Sequence, residues 1–121
     1  MDPVKIDKLK IALSKYVPEA ALQYCVDWII DYRIVIRITK SRSSKFGDYA
    51  PPSNGRGHRI SINHDLNKYS FLLTFTHEVA HLLTWKRFKN RVDAHGTEWR
   101  YEFKTLLVPL IKQEIFPADL P

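Results

Sequence analysis

Apolar side chains recur at helical spacing near the start of the chain, in two segments separated by Pro18. Asp2 and Pro3 are a suitable cap and first turn, so a first helix is predicted from there to about Tyr16. Pro18 disfavours helix at the preceding residue and can itself open a second helix, which we predict to run to about Trp28. The positions expected to face the core are Ile6, Leu9, Leu13, Tyr16, Val17, Leu22, Cys25, Trp28 and Ile29.

The pattern then changes to β-branched and alternating residues. Strands are predicted at residues 33–39, 46–50 and 59–63, the first with Ile34, Ile36 and Ile38 on its buried face. The turn-rich segment between the second and third strands predicts that these two form a hairpin. Because proline is excluded from central strands, Pro51 and Pro52 predict that the second strand is an edge of the sheet.

A long apolar helix is predicted from about Tyr69 to Trp85, followed by a polar, basic loop over residues 86–94. A last helix should start near Thr97 and be ended or kinked by Pro109. This order of elements is typical of an α+β domain rather than of regular βαβ alternation. We therefore predict a small three-stranded antiparallel sheet packed on the long helix and on further helices.

The long helix contains the sequence His77-Glu78-Val79-Ala80-His81. Residues four apart lie on one helical face, so both imidazoles can reach a single metal ion, while Glu78 is turned aside and can act as a general base. Zinc with three protein ligands keeps a position for water and lowers that water's pKa to about 7. An amphipathic helix with two surface histidines is the simpler interpretation, but the apolar flanks predict a core helix, in which unpaired polar groups are costly.

The third metal ligand must come from elsewhere in the chain. His95 is favoured because the preceding loop can turn back toward the long helix and Gly96 allows a tight bend. Glu98 and Glu102 remain alternatives, since other zinc peptidases take a third ligand from a glutamate on a following helix.

With these motifs the chain resembles the SprT-like zinc metallopeptidases, a family that includes Spartan, a protease acting on DNA-bound proteins. The resemblance runs from about Ile34 to Phe103 and includes the likeness of residues 46–49 and 57–63 to the strands before the active-site helix. His95-Gly96-Thr97-Glu98-Trp99 is similar to the family's element carrying the third ligand. The resemblance implies a zincin-like fold, zinc held by His77, His81 and His95, and an edge strand that aligns extended peptide substrate.

The function that this resemblance implies is a zinc-dependent metalloendopeptidase, with Glu78 as catalytic base and DNA-associated or DNA-crosslinked proteins as a possible substrate class. One alternative is a non-catalytic, metal-containing DNA-associated module, whose structural zinc would be closed by a fourth ligand such as Glu98. Another is a regulatory metallopeptidase that cleaves a repressor. Many family members carry a C-terminal four-cysteine zinc ribbon, whereas this chain has only Cys25.

Composition is compatible with one domain spanning residues 1–121, since 45% of the residues are apolar. Cys25 is expected to be a small buried hydrophobe, and a single cysteine excludes an internal disulfide. We expect no membrane segment, a cytoplasmic location, a monomer and a protein or peptide substrate. The net charge of +6 favours acidic partners. Single-stranded DNA is a possible one, with contacts predicted from Lys86, Arg87, Lys89 and Arg91.

Several further residues have competing interpretations. His58 and His64 lack ligand spacing and are expected in loops or at the surface. Tyr49 can stabilise an oxyanion from the cleft, although a half-buried strand tyrosine is favoured. Trp99 is expected to pack beneath the third ligand. The only methionine is Met1, which excludes the zinc peptidases with a methionine turn.

Overall fold

The computed structural model describes residues 2–117 of the chain. In chain order the elements are α1 (Pro3–Leu13), a 3-10 turn (Glu19–Ala21), α2 (Leu22–Asp31), β1 (Val35–Thr39), β2 (Gly47–Ala50), β3 (Arg59–Asn63), α3 (Lys68–Phe88) and α4 (Thr97–Lys112). Within these described residues, four α-helices and one three-stranded sheet confirm the α+β class. The predicted domain also includes Met1 and residues 118–121, which lie outside the described residues.

The N-terminal helix begins as its sequence predicts. The Asp2 side chain accepts a hydrogen bond from the Lys5 N–H at 3.0 Å, and Pro3 occupies the first turn. The helix ends at Leu13, short of the predicted Tyr16, and a turn carries the chain to Pro18. Pro18 opens the 3-10 turn rather than α2 itself, which continues past the predicted end to Asp31.

The sheet has the order β1-β3-β2. β2 and β3 form the predicted antiparallel hairpin, with Gly47 opposite Ile62 and Tyr49 opposite Ile60, and β2 is the predicted edge. β1 runs parallel to β3, so the prediction of a fully antiparallel sheet was wrong. Alternating residues specify which face of a strand is buried but not the direction of its neighbour. β3 is the central strand of the sheet, and its Ile60 and Ile62 are almost completely buried.

α3 extends beyond its predicted limits, and α4 continues past Pro109. Asn67 caps α3, its side chain accepting from the Ser70 N–H at 2.9 Å, and the helix runs to Phe88 rather than to Trp85. Pro109 does not end α4, which continues to Lys112. An interior proline costs about 3 kcal/mol, and the complete burial of the next residue, Leu110, offsets part of that cost.

The core lies between α1 and α2, the inner face of the sheet and the buried sides of α3 and α4. Phe71 and Phe75 of α3 are its largest fully buried side chains. Cys25 is also fully buried, and burial raises the pKa of its thiol to about 12, which confirms its role as a small hydrophobe. Within residues 2–117, no helix combines the length and apolar character that a membrane crossing requires.

Candidate metal centre

Two elements bring three histidines together. His77 and His81 lie on consecutive turns of α3, and His95 belongs to the turn that precedes α4. The sharp bend expected at Gly96 is made by His95 itself, which has a left-handed φ of 60°. Gly96 is the N-cap residue of α4, where an added Cβ would lie 3.2 Å from the Asp93 carbonyl oxygen.

The three imidazole Nε2 atoms converge on one point. Their separations are 3.2 Å between His77 and His81, 3.0 Å between His81 and His95, and 3.0 Å between His77 and His95. Tetrahedral zinc with Zn–N distances of 2.0–2.1 Å requires ligand atoms about 3.3 Å apart. The residues therefore fit a single ion of this size and coordination.

Hydrogen bonding among the three rings does not explain this convergence. Each Nε2 has either one hydrogen or one lone pair in the ring plane, so it cannot point linearly at two neighbours in a triangle. Burial and the neighbouring histidines lower the pKa of His77, and they lower the pKa of His81 to about 4. Both rings are therefore neutral near pH 7, the state in which an imidazole binds a metal ion.

Trp99 supports all three rings. It is 8% exposed, and its ring centroid lies 4.7 Å from that of His77, 5.4 Å from His81 and 4.8 Å from His95. Its indole N–H donates to the carbonyl oxygen of His77 at 3.3 Å. The expectation that Trp99 packs beneath the third ligand is confirmed, and the contacts restrict the orientation of the rings.

Glu78 is buried beside the cluster. One carboxylate oxygen lies 4.0 Å from Nε2 of His77, farther than the roughly 3.3 Å between two ligand atoms of tetrahedral zinc, and the group of residues that could hold a metal ion does not include Glu78. Burial, reinforced by Asp48, raises the pKa of Glu78 to about 7, while Lys45 and Arg42 act in the opposite direction. A bound cation would shift this pKa back down, since it favours the carboxylate.

The alternative third ligands do not join the cluster. Among residues 2–117, the group that could hold a metal ion consists of His77, His81 and His95, with no fourth histidine, cysteine or carboxylate. Glu102 is buried and lies 4.0 Å from a guanidinium nitrogen of Arg87. The arrangement matches a site with three protein ligands and an open position rather than a closed structural site.

The histidines open into a cleft of about 800 Å³. The floor of the cleft is the half-buried side of α3 that carries His77 and His81. Residues of β2, of the 89–95 segment and of the start of α4 form its walls. Tyr49 lines the cleft, half-buried, with its hydroxyl 2.7 Å from Nδ1 of His58, and burial raises its pKa. This engaged hydroxyl favours the structural interpretation of Tyr49. His58 is a half-buried loop residue, and His64 lies in an exposed turn.

The four basic residues predicted to contact DNA, Lys86, Arg87, Lys89 and Arg91, differ in their surroundings. Arg87 is near Glu102, and Arg91 donates to the Phe88 carbonyl oxygen at 2.9 Å. Lys89 places its ammonium 4.0 Å from the centre of the Trp85 ring and lines the cleft, and Lys86 lies over Tyr32 at 5.4 Å. Of these four residues, Lys86 and Lys89 are exposed and, among residues 2–117, have neither an acidic partner nor a hydrogen bond that holds the ammonium group.

Three features of the site were missing from the sequence-based prediction. A Cβ on Gly47 would lie 2.6 Å from Thr74 and 3.3 Å from Glu78, so only glycine allows β2 to approach α3 this closely. Asn63, 1% exposed, holds the segment before β2 through a 2.8 Å bond to the Lys45 carbonyl oxygen. Phe103 packs edge-on against His77, with ring centroids 5.9 Å apart. Of these three features, only Gly47 gave a signal in the sequence, because a glycine inside a short strand often marks the close approach of another segment.

Comparison with known proteins gives two matches. A protein-family model described as "SprT-like family" matches residues 18–109, which is more than half of the chain. Protein SprT of Cronobacter sakazakii (strain ATCC BAA-894) is 46% identical over 44 residues, which cover 36% of this chain. The match spans only 26% of the length of that relative. No solved structure matches the chain.

Proposed function

The chain belongs to the SprT-like family, and we propose that it is a zinc-dependent metalloendopeptidase with His77, His81 and His95 as metal ligands. The observation that carries this proposal is the convergence of three imidazole nitrogens beside a buried carboxylate, within a cleft open to solvent. Three ligands without a fourth are typical of catalytic rather than structural zinc. The non-catalytic alternative lacks this kind of support.

In the proposed reaction, bound zinc supplies a Lewis acid for the scissile carbonyl and a water of lowered pKa. Glu78 acts as the base: its carboxylate accepts a proton from the attacking water and later delivers it to the leaving amine. The close approach of β2 at Gly47 keeps Glu78 shielded from solvent. The edge position of β2 leaves one side of the strand available for main-chain pairing with an extended substrate.

Replacing Glu78 by glutamine tests the proposal, because it keeps the size of the side chain and removes the base. We expect about one zinc per chain in Glu78→Gln, with cleavage of an unfolded protein such as casein reduced roughly a hundredfold or more. Glu98→Gln is the matched control, since Glu98 is outside the metal cluster, and it should retain activity. Wild-type protein that binds zinc but shows no Glu78-dependent cleavage would contradict the enzymatic proposal.

For the substrate class, we propose proteins associated with DNA. Lys86 and Lys89 follow the metal-binding part of α3, and Lys89 lines the cleft itself. A phosphate backbone held by these side chains would lie next to the proposed site of cleavage. Lys89 already covers one region of the Trp85 ring, so stacking of a base on Trp85 would require Lys89 to move.

A further inference from the structure

We propose that the cleft contains an apolar subsite, formed by Leu73, Phe103 and Phe46, that takes a large apolar side chain of the substrate next to the scissile bond. The inference rests on the proposed peptidase function and adds a substrate preference to it. Its basis is the position of these residues along the cleft relative to His77.

The floor of the cleft is a row of residues at four-residue intervals along α3. Leu73, His77, His81 and Trp85 all line it. One helical turn rises about 5.4 Å, so Leu73 lies about one turn from the first metal ligand. An extended peptide advances about 3.3 Å per residue, which places a side chain one or two residues from the scissile carbonyl at the level of Leu73.

Phe103 forms the wall beside this part of the floor. Its ring lies edge-on to His77, at a centroid distance of 5.9 Å, and is stacked on Trp99 at 4.9 Å and 20°. Trp99 is itself packed against all three histidines. The position of Phe103 is therefore tied to that of the metal ligands, as a selective subsite requires.

Phe46 borders the opposite side of the cleft and is 60% exposed. Its main chain is held in place, because the Asn63 N–H donates to the Phe46 carbonyl oxygen at 2.8 Å and the Asn63 side chain donates to Lys45. A large apolar side chain at a cleft, left in water on a fixed backbone, is typical of a binding site.

The other end of the cleft has a different character. There the floor is Trp85, with the Lys89 ammonium 4.0 Å from the ring centre, and Tyr49 lies nearby with its hydroxyl bonded to His58. Lys45 also lines the cleft next to Phe46, but it pairs with Asp48 at 3.5 Å, whereas Lys89 has no acidic partner among residues 2–117. The Leu73 end combines three apolar side chains without a cation over a ring, so the apolar preference is assigned to that end.

Amino-acid hydroxamates test this subsite without relying on catalysis. The hydroxamate group chelates zinc in every case, so the difference between leucine hydroxamate and glycine hydroxamate reports the neighbouring apolar contact. On the zinc-loaded protein we expect calorimetry to show about tenfold tighter binding of leucine hydroxamate. The ratio should fall toward one in Phe103→Ala and remain unchanged in Tyr101→Ala, which removes an aromatic residue of α4 that is 61% exposed and outside the cleft.

Phe46→Ala provides a second variant whose folding is not at risk, since this side chain is mostly exposed. We expect it to reduce the leucine-to-glycine ratio about threefold. Equal binding of the two hydroxamates by the wild type, or a ratio unaffected by both Phe103→Ala and Phe46→Ala, would overturn the subsite. A wild-type preference for leucine hydroxamate that both variants reduce, together with no Glu78-dependent cleavage, would instead overturn the proposed peptidase function, so the two failures are distinguishable.

Discussion

The two faces of α3 differ in what their side chains contact. The packed face carries Phe71, Leu72, Phe75, Val79 and Leu82, all of them fully buried in the core. The cleft face carries Leu73, His77, His81 and Trp85, which are half-buried. One helix therefore anchors the domain and presents the site, and substitutions on its two faces should affect different properties.

Polar side chains on the two faces have different kinds of hydrogen-bond partner. On the buried side, the Thr76 hydroxyl donates to the Leu72 carbonyl oxygen at 2.8 Å. Local bonds of this kind satisfy a buried hydroxyl within its own helix. In the part of the chain that the structure describes, the Nε2 atoms of His77 and His81 have only one another and Nε2 of His95 within hydrogen-bond distance, which is the difference that points to a metal ion.

The largest effect is expected on the cleft face. His81→Ala removes one of three ligands and should lose most of the zinc, and with it essentially all peptidase activity. Elemental analysis after chelator-free purification measures the loss. His64→Ala, a change at an exposed histidine outside the cluster, should retain about one zinc per chain. Full zinc content in His81→Ala would show that the ligand set is wrong.

On the packed face, Phe75→Ala should act on stability. Phe75 is fully buried and packs edge-on against Trp28 at 5.6 Å, so the variant should lose about 3–5 kcal/mol in free energy of unfolding. Denaturant unfolding of the zinc-loaded proteins provides the measurement, with Phe46→Ala as an exposed control expected to change little. Comparable losses in the two variants would contradict the described packing.

Gly47→Ala tests whether the approach of β2 to the cleft face matters for activity. The added Cβ would lie 2.6 Å from Thr74 Cγ2, forcing β2 away from Glu78. We expect kcat/KM to fall about tenfold, because small displacements at a site are costly. Gly57→Ala, whose Cβ would meet nothing closer than 4.0 Å, is the control. Adding Thr74→Ser removes the contacting methyl group and should restore part of the activity, an outcome that a general loss of folding would not produce.

The smallest effect concerns the basic end of the cleft face. Lys86→Glu combined with Lys89→Glu should weaken single-stranded DNA binding several-fold at low salt, and flatten its salt dependence, while zinc content stays constant. Lys104→Glu with Lys112→Glu makes the same change in net charge on exposed parts of α4. If both pairs reduce DNA affinity equally, the attraction is due to overall charge and the patch has no specific role.

Local features of the site could be predicted because they depend on residues close in the chain. The spacing of His77, Glu78 and His81 on a helix determines which side chains share a face, and Asp2 determines the start of α1 through a hydrogen bond that spans only three residues. The hairpin of β2 and β3 followed from turn residues in the same way. The sequence left open whether Pro109 ends or kinks α4, because the burial of Leu110, which favours continuation of the helix to Lys112, depends on the rest of the fold.

The sequence by itself determined the helix that carries the metal-binding pair, the proposed base beside it, the edge position of β2 and the α+β class. Only the tertiary structure decided that His95, rather than Glu98 or Glu102, completes the cluster, that β1 lies parallel to β3, and that Gly47 and Phe103 border the site. The first group depends on the periodicity and steric limits of short segments. The second depends on how distant segments pack, which the residue pattern of any one segment does not specify.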